Sequence, residues 1–486
     1  MKKIYSLCLC IMAISFVGAQ INQQLPNSTE VANSSQTLTV QQGSAMNPSA
    51  KISKTDKSVS VSSVSGNQTD NYSKSGQQPN SGSVSQSPFD AVKGLKENIS
   101  KRDLYSKTYD NPDGSHTALI GAGPIHYEKN GKFLDIDHSI TGNPDSAFPY
   151  SNSTNLFESY FGATAHKGVK SKTNEGEVVE FLNTKMYWEV NGQQKSKIDS
   201  NNPAASVQDN KLYYNNLFGQ ISAEFTVLTG KRDLNYIIPN KQALGDIPMG
   251  ASYLVFSEDI ILPVGWTFAM SENGVVIKDN LGNNIYLYDS PKSTDANSQL
   301  ISTDTNTVFE VQQIGQILTV KTKVKTSWLL SSERQFPVMV DPSVTVNPNN
   351  SNKWSGWASQ GNGDDNEVRA GYHSSGYRIN GFAKFNLSGI DSDKAIVSVQ
   401  SGFYCFNSQG NTGNNRRMAI GDLNADPVTS TYNEIWESTQ NYISDNILLG
   451  SNNDWKINTF TSLGIDYVQN SLAQGWVAVS VIPYTN

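Results

Sequence analysis

Beyond residue 100 the chain alternates apolar and polar positions in short runs separated by turn-forming residues. Gly274-Val275-Val276-Ile277-Lys278, Asn284-Ile285-Tyr286-Leu287-Tyr288, Gln316-Ile317-Leu318-Thr319-Val320 and Trp476-Val477-Ala478-Val479-Ser480-Val481 are rich in β-branched and aromatic side chains. Such residues fit a pleated, half-buried surface, so each run predicts a strand. Asn-Gly pairs recur at Asn130-Gly131, Asn191-Gly192, Asn273-Gly274 and Asn380-Gly381. Both central residues of a type I′ turn need positive φ, which Asn and Gly tolerate, so the pairs predict hairpins. No long stretch places apolar residues at helical spacing. The one short helix expected is Ser462 to Leu472, with Leu463, Tyr467 and Leu472 toward one side. The pattern is that of an all-β protein.

The first residues break the pattern. Lys2 and Lys3 precede an apolar run from Leu7 to Val17, and Gly18 and Ala19 precede Gln20. Residues 1–19 read as a secretory signal peptide cut after Ala19. The run is too short to anchor the chain in a bilayer, and no other segment approaches transmembrane length. The mature chain is therefore expected to be secreted or held at a cell surface. Cys8 and Cys10 leave with the signal, so Cys405 is the one thiol that remains. A secreted chain without an internal disulfide must be stable through its own cores, which favours a bacterial exoprotein. Cys405 lies in the apolar run Gly402–Phe406 and reads as a small buried hydrophobe.

Residues 20–99 form a Ser/Gln/Asn-rich leader, and Tyr72 is the only aromatic between 21 and 88. Such a stretch buries too little apolar surface to offset its chain entropy, so it is expected to be disordered. A boundary follows Phe336-Pro337-Val338-Met339-Val340-Asp341-Pro342, where a final strand meets Pro and then a linker over 343–352. The expected regions are a β region over 100–342 and a second β domain over 353–486. Across 486 residues, 37 basic face 44 acidic, a net charge of −7. With that sign the chain has no general pull toward nucleic acid or anionic lipid, and no nucleic-acid partner is expected.

No His-Glu-x-x-His, Gly-x-Ser-x-Gly or phosphate-cradling loop occurs, so no catalytic residue is assigned and the chain is expected not to be an enzyme. The five His are singly spaced, which suits structural or surface roles. Gly361-Asn362-Gly363-Asp364-Asp365-Asn366-Glu367 gathers hard oxygens on a Gly-rich loop. Asp364, Asp365 and Glu367 are candidate ligands for calcium, the one cofactor suggested; the alternative is a solvated acidic turn. Trp354 and Trp357 lie just before it. Flat indole faces stack on the C–H-rich faces of sugar rings while polar groups bond the hydroxyls. Trp354, Trp357, Tyr372 and Arg378 are thus the carbohydrate-binding candidates, and the alternative is that a Trp caps the sandwich core.

Several segments resemble a known family. Tyr127–Asp137, Asn155–Phe161, Tyr213–Asn240, Gly274–Tyr288 and Trp328-Leu329-Leu330 followed by Phe336–Val344 are similar, in kept order, to elements of the N-terminal regions of bacterial RHS/YD-repeat and wall-associated exoproteins. Asp365–Gly371, Arg378–Leu387, Ile396–Phe403, Trp436 and Gly475–Val479 resemble strands of the DNRLRE-type sandwich, which is grouped with carbohydrate-binding modules. The usual Ala and Leu of the third strand are replaced by Gln400 or Ser401 and by Phe403. The resemblance implies a β-rich RHS-associated region followed by a jelly-roll-like β-sandwich. It implies an exported, non-catalytic protein, or the N-terminal part of a larger one. Polysaccharide or cell-surface glycan is the expected partner of the sandwich, with other domains of a larger chain beside it. Two other readings stay open: a scaffold or delivery region of an RHS-type toxin or adhesin that binds protein only, and a secreted hydrolase whose site carries no familiar motif.

Overall fold

The computed structural model describes residues 87–271, 274–296, 306–346, 354–360, 362–364, 368–372, 378–408, 417–439, 441–448 and 454–484, with the strands Ile4–Cys10 and Thr29–Gln41. The chain is 55% strand and 11% helix, an all-β protein as its alternation predicts. Among the described residues, no helix is long and apolar enough to cross a membrane. Beyond Gln41 the described residues resume at Ser87. Ser87 caps the turn Pro88–Val92 in a reciprocal box with Asp90, and Val92 is buried. The expected leader also holds the strand Thr29–Gln41, and the expected signal peptide holds Ile4–Cys10; the rest of both segments up to residue 86 lies outside the described residues.

Two compact units divide the chain; one break, Ser351/Asn352, falls at the end of the expected linker, and the other, His126/Tyr127, lies inside the region expected over 100–342. Tyr127–Ser351 form one unit. Gln23–His126, with Met1–Phe16, join Asn352–Asn486 in the other. The region expected over 100–342 is therefore not one body. Its first strands, Ser106–Asp110 and His116–Gly121, belong to the C-terminal sandwich. The physical reason is their apolar face: Ala118, Ile120 and Ala122 share one core with Phe385, Val399, Phe403, Val479 and Val481.

The unit at 127–351 is two sheets packed face to face. In the first, Glu177–Val190 pairs with Ala251–Ile261, which pairs with Ile317–Lys325. In the second, Lys211–Phe218, Ile221–Leu228 and Lys231–Ile238 follow one another antiparallel. Phe256 of the first sheet stacks on Tyr236 of the second with centroids 4.3 Å apart and planes at 6°. Phe181, Trp188, Tyr214 and Phe225 fill the same core. Large offset aromatic contacts between the inner faces are what hold such a sandwich about 10 Å thick.

The other unit is also layered. Arg378–Asn386 pairs with Trp476–Tyr484, which pairs with Arg417–Asp422. Ala395–Ser408 pairs with Asp454–Thr459 in the facing sheet. Side chains alternate across the strand, so Ala383 and Phe385 enter the main core while Phe382 enters a smaller one with Ala358, Leu423, Ile435 and Ala478. Cys405 is buried in the main core.

The turn chemistry holds at two of the four Asn-Gly pairs and fails at one. Asn130 and Gly131 take φ of 53° and 72°, and Asn191 and Gly192 take 48° and 73°. Asn273 lies outside the described residues. Asn380-Gly381 sits inside the strand Arg378–Asn386. Its glycine serves packing: a Cβ there would stand 2.4 Å from Val368 Cγ1 and 3.0 Å from Val481 Cβ. Gly381→Ala is thus expected to cost about 1–3 kcal/mol by overpacking. A denaturant midpoint equal to that of the parent chain would refute this.

The expected helix is present as Ser462–Ser471, N-capped by Thr461. Within the helix Gly464, Val468 and Ser471 are buried; of the face expected, Leu472 is buried and Tyr467 packs against the main core, while Leu463 is 54% exposed. Two short helices escape the periodicity, Thr326–Leu329 and Tyr432–Glu437. The second carries a legible signal, the capping box of Thr431 and Glu434.

Candidate functional site

Trp354 and Trp357 do not form one platform. Trp357 lies in the strand Ser355–Ser359, and an extended chain turns residues three apart to opposite faces. Trp357 pairs in register with Gly381, and Arg369 stands 5.5 Å from its ring centroid. Its Nε1 is buried with no hydrogen-bond partner among the described residues. Arg378 is half-buried, and its carbonyl accepts a 3.0 Å bond from Trp436 Nε1. Tyr372 stands opposite Arg378 at a strand end, and its side chain lies outside the described residues. Among the described side chains, Trp354 is the sugar-site candidate with a stacked aromatic neighbour.

That neighbour was not foreseen. Tyr105 stacks on Trp354 with centroids 5.0 Å apart and planes at 29°. Lys384 Nζ lies 5.5 Å from the Trp354 ring and 4.7 Å from the Trp476 ring. The same ammonium donates to both carboxylate oxygens of Asp426 at 2.8 Å. Two half-buried indoles thus flank one ion pair, and half-buried Tyr105 stacks on one of them. The strands explain the gathering. Lys384 occupies an alternate position on Arg378–Asn386, on the same face as Phe382 and away from the main core. Trp476 opens the neighbouring strand, and the Lys384 backbone N–H bonds Trp354 O at 2.7 Å. Asp426 is held by a turn in which its Oδ1 accepts from the Val428 N–H at 3.0 Å. The ammonium over the rings gains cation–π attraction, and its stem covers apolar surface. The only sequence signal was a Lys set among the apolar Phe382, Ala383 and Phe385 of its strand.

The acidic loop has a different standing. Asp365 and Glu367 lie outside the described residues, and so does the side chain of Asp364, whose backbone pairs with Trp357. Gly363 has a packing reason, since a Cβ there would meet the Tyr432 ring at 2.1 Å. Asp422, a further oxygen candidate, accepts bonds from Asn441 N and Nδ2 at 2.8 and 2.7 Å, and Asp426 is committed to Lys384. Among the described residues, no group of three His, Cys, Asp or Glu is placed to hold a metal. The described His side chains bond structurally: His126 to Asp103 O at 2.5 Å, His138 to Thr229 Oγ1 at 2.9 Å and His166 to Ser200 O at 3.0 Å.

The unit at 127–351 carries a second polar cluster, buried between its sheets. Arg232 is 2% exposed and Glu180 is 4% exposed. Arg232 Nη2 donates to Glu180 Oε1 at 2.6 Å, and Nη1 donates to Ser171 Oγ at 2.7 Å. Tyr288 OH donates to Glu180 Oε2 at 2.5 Å. Glu258 lines the same small cavity at 5% exposure. Burial pushes its carboxyl up to about 8; Glu180 and Asp259 reinforce the rise and Arg232 opposes it. Glu258 is therefore neutral at pH 7, which lets two carboxyls share one guanidinium. The same small cavity is lined by Phe181, Phe225 and Val344. Compared with known protein families, curated proteins and solved structures, the chain has no match.

Proposed function

We propose that this is an exported, non-catalytic surface or extracellular protein that binds glycan through its C-terminal sandwich. The observation that carries the reading is the gathering of Tyr105, Trp354 and Trp476 around the Lys384–Asp426 pair. Half-buried indoles supply rigid apolar faces for pyranose rings, and a fixed ammonium and carboxylate supply directional bonds to hydroxyl or uronate groups. Export rests on the basic start at Lys2 and Lys3, the apolar run and the small residues before Gln20. The similarity of its segments to the sandwich of RHS-type exoproteins points the same way.

The test is retention of the purified full chain on acidic and neutral polysaccharides in affinity electrophoresis, with and without calcium. Trp476→Ala is expected to weaken binding at least about tenfold, the loss of about 1.4 kcal/mol from one stacking face. Trp357→Phe serves as the control and is expected to bind as the parent does. Absence of retention on every polymer, or equal binding by Trp476→Ala, would count against the reading. N-terminal sequencing of the exported protein checks the signal separately, and Gln20 is the residue expected first.

A further inference from the structure

Lys231, in the unit at 127–351, stands among three carboxyl groups. Its Nζ lies 3.0 Å from Asp233 Oδ1 and 3.6 Å from Asp289 Oδ2. Asp341 completes the group, near enough to Lys231 and Asp233 to feel both charges. The side chains of Lys231 and Asp233 are 13% and 2% exposed, and that of Asp289 is 27% exposed. The backbone beneath them is fixed. Lys231 pairs with Thr345, whose Oγ1 donates to Gly230 O at 2.9 Å. The Asp289 N–H donates to Ser343 O at 3.0 Å, and Ser343 Oγ donates to Asp341 Oδ1. Lys231 and Asp289 thus meet across the short strand Val344–Thr345, although their own strands, Lys231–Ile238 and Asn284–Asp289, are far apart in sequence.

We propose that Lys231 and Asp289 condense into an amide cross-link between these two strands, formed once per chain without an enzyme. Proximity is the first support, since fixed neighbours need no encounter and little reorganisation to react. The second is Asp233, whose Oδ1 is buried beside the ammonium and accepts no hydrogen bond among the described residues. A carboxylate stripped of water and of donors is a ready base, so it takes the Lys231 proton. Burial disfavours the ammonium, but Asp233, Asp289 and Asp341 together hold the Lys231 pKa well above its ordinary value. The unprotonated amine is therefore scarce and the reaction slow, which a single turnover tolerates. The third is Asp341, pushed up to about 6 by burial and by Asp233, so that this pair holds a proton readily. The amine nitrogen attacks Asp289 Cγ, a C–N bond forms, and one carboxyl oxygen leaves as water. Of the ammonium hydrogens, one stays on the amide and the others leave with that oxygen, passed through Asp233 and Asp341; no co-reactant is consumed. Asp289 is the acceptor because its greater exposure lets the water out, whereas Asp233 lies on the same strand as Lys231. The unit at 127–351 contains no cysteine, so the amide is a covalent tie of a kind that a disulfide cannot supply there.

Mass spectrometry of the purified full chain, intact and then after proteolysis, tests this. The chain is expected to weigh about 18 Da less than its sequence, the mass of one water. Proteolysis is expected to yield a branched peptide with Lys231 on one arm and Asp289 on the other. Lys231→Arg keeps the charge and is expected to show the full mass. Asp289→Asn is expected to lose about 17 Da instead, because an amide acceptor releases ammonia. Asp233→Asn removes the base and is expected to leave most of the chain unlinked. An intact mass equal to that of the sequence would overturn the proposal. So would a water loss without the branched peptide, or one that persists in Lys231→Arg. The parent chain alone decides between these outcomes, so a variant that fails to fold does not obscure them.

Discussion

Arg232→Met is expected to destabilise the unit at 127–351 by about 3–5 kcal/mol, measured as a fall in the urea midpoint of the full chain. The guanidinium is buried between the sheets, bonded to Glu180 and Ser171, with the Phe157 and Phe225 rings 5.8 and 5.9 Å from its Cζ. Met fills much of the same volume, so the loss does not come from a cavity. It comes from Glu180, which keeps a carboxylate with no counter-charge in a site that excludes water. The companion variant distinguishes the causes. Arg232→Met with Glu180→Gln removes both charges, and is expected to recover a large part of the stability lost by Arg232→Met alone. Additive losses in the double variant would show that packing, and not the orphaned charge, dominates.

Glu258→Gln should act in the opposite direction, and its effect should grow with pH. The folded-state carboxyl is raised from 4.5 to about 8. Between those values the folded protein holds a proton that the unfolded chain has released, so stability falls as pH rises through the window. The slope approaches about 1.4 kcal/mol per pH unit near its middle. The groups that face Glu258 set the balance: Glu180 and Asp259 disfavour its ionisation and Arg232 favours it. Asp341, raised to about 6 by burial and by Asp233 against Lys231, adds a loss of the same sign over the lower part of the range. Gln cannot ionise, so the variant is expected to match the parent near pH 5 and to exceed it increasingly toward pH 8. Thermal melts of both proteins across that range check it. Parallel melting curves at every pH would refute a neutral buried Glu258.

Strand content and hairpin turns were legible in the sequence because both are local. Alternation marked Gly274–Lys278 and Asn284–Asp289, and Asn-Gly marked the turns at 130 and 191, where positive φ is needed. Asn380-Gly381 misled because a glycine demanded by a neighbour's Val looks the same in sequence as one demanded by a turn. The helix at 462 was visible, and Tyr467 and Leu472 do face the core, but the exposure of Leu463 and the burial of Gly464 were not. A Cβ at Gly464 would lie 2.1 Å from Ile443 O, a close approach that periodicity cannot register. The candidate site was half visible. Trp354 is a conspicuous residue, whereas Tyr105, Lys384, Asp426 and Trp476 become neighbours only through pairing between distant strands. The unit boundary failed for the same reason, since the partners of Ala118 and Ile120 lie beyond residue 367.

The split sandwich also has a consequence in time. Synthesis runs from the N-terminus, so His116–Gly121 emerges well before Ala395–Ser408 and Trp476–Tyr484. Its apolar face must wait through the whole of Tyr127–Ser351, which can fold meanwhile as a unit of its own. Closing so long a loop as loose chain costs several kcal/mol, roughly (3/2)RT ln n, and a folded insert replaces that loose chain with a compact body. Trp476–Tyr484 is thus a late seal on the first strands. A chain interrupted before Trp476 leaves Val477, Val479 and Val481 missing from the core and exposes the earliest strands to proteases and to one another.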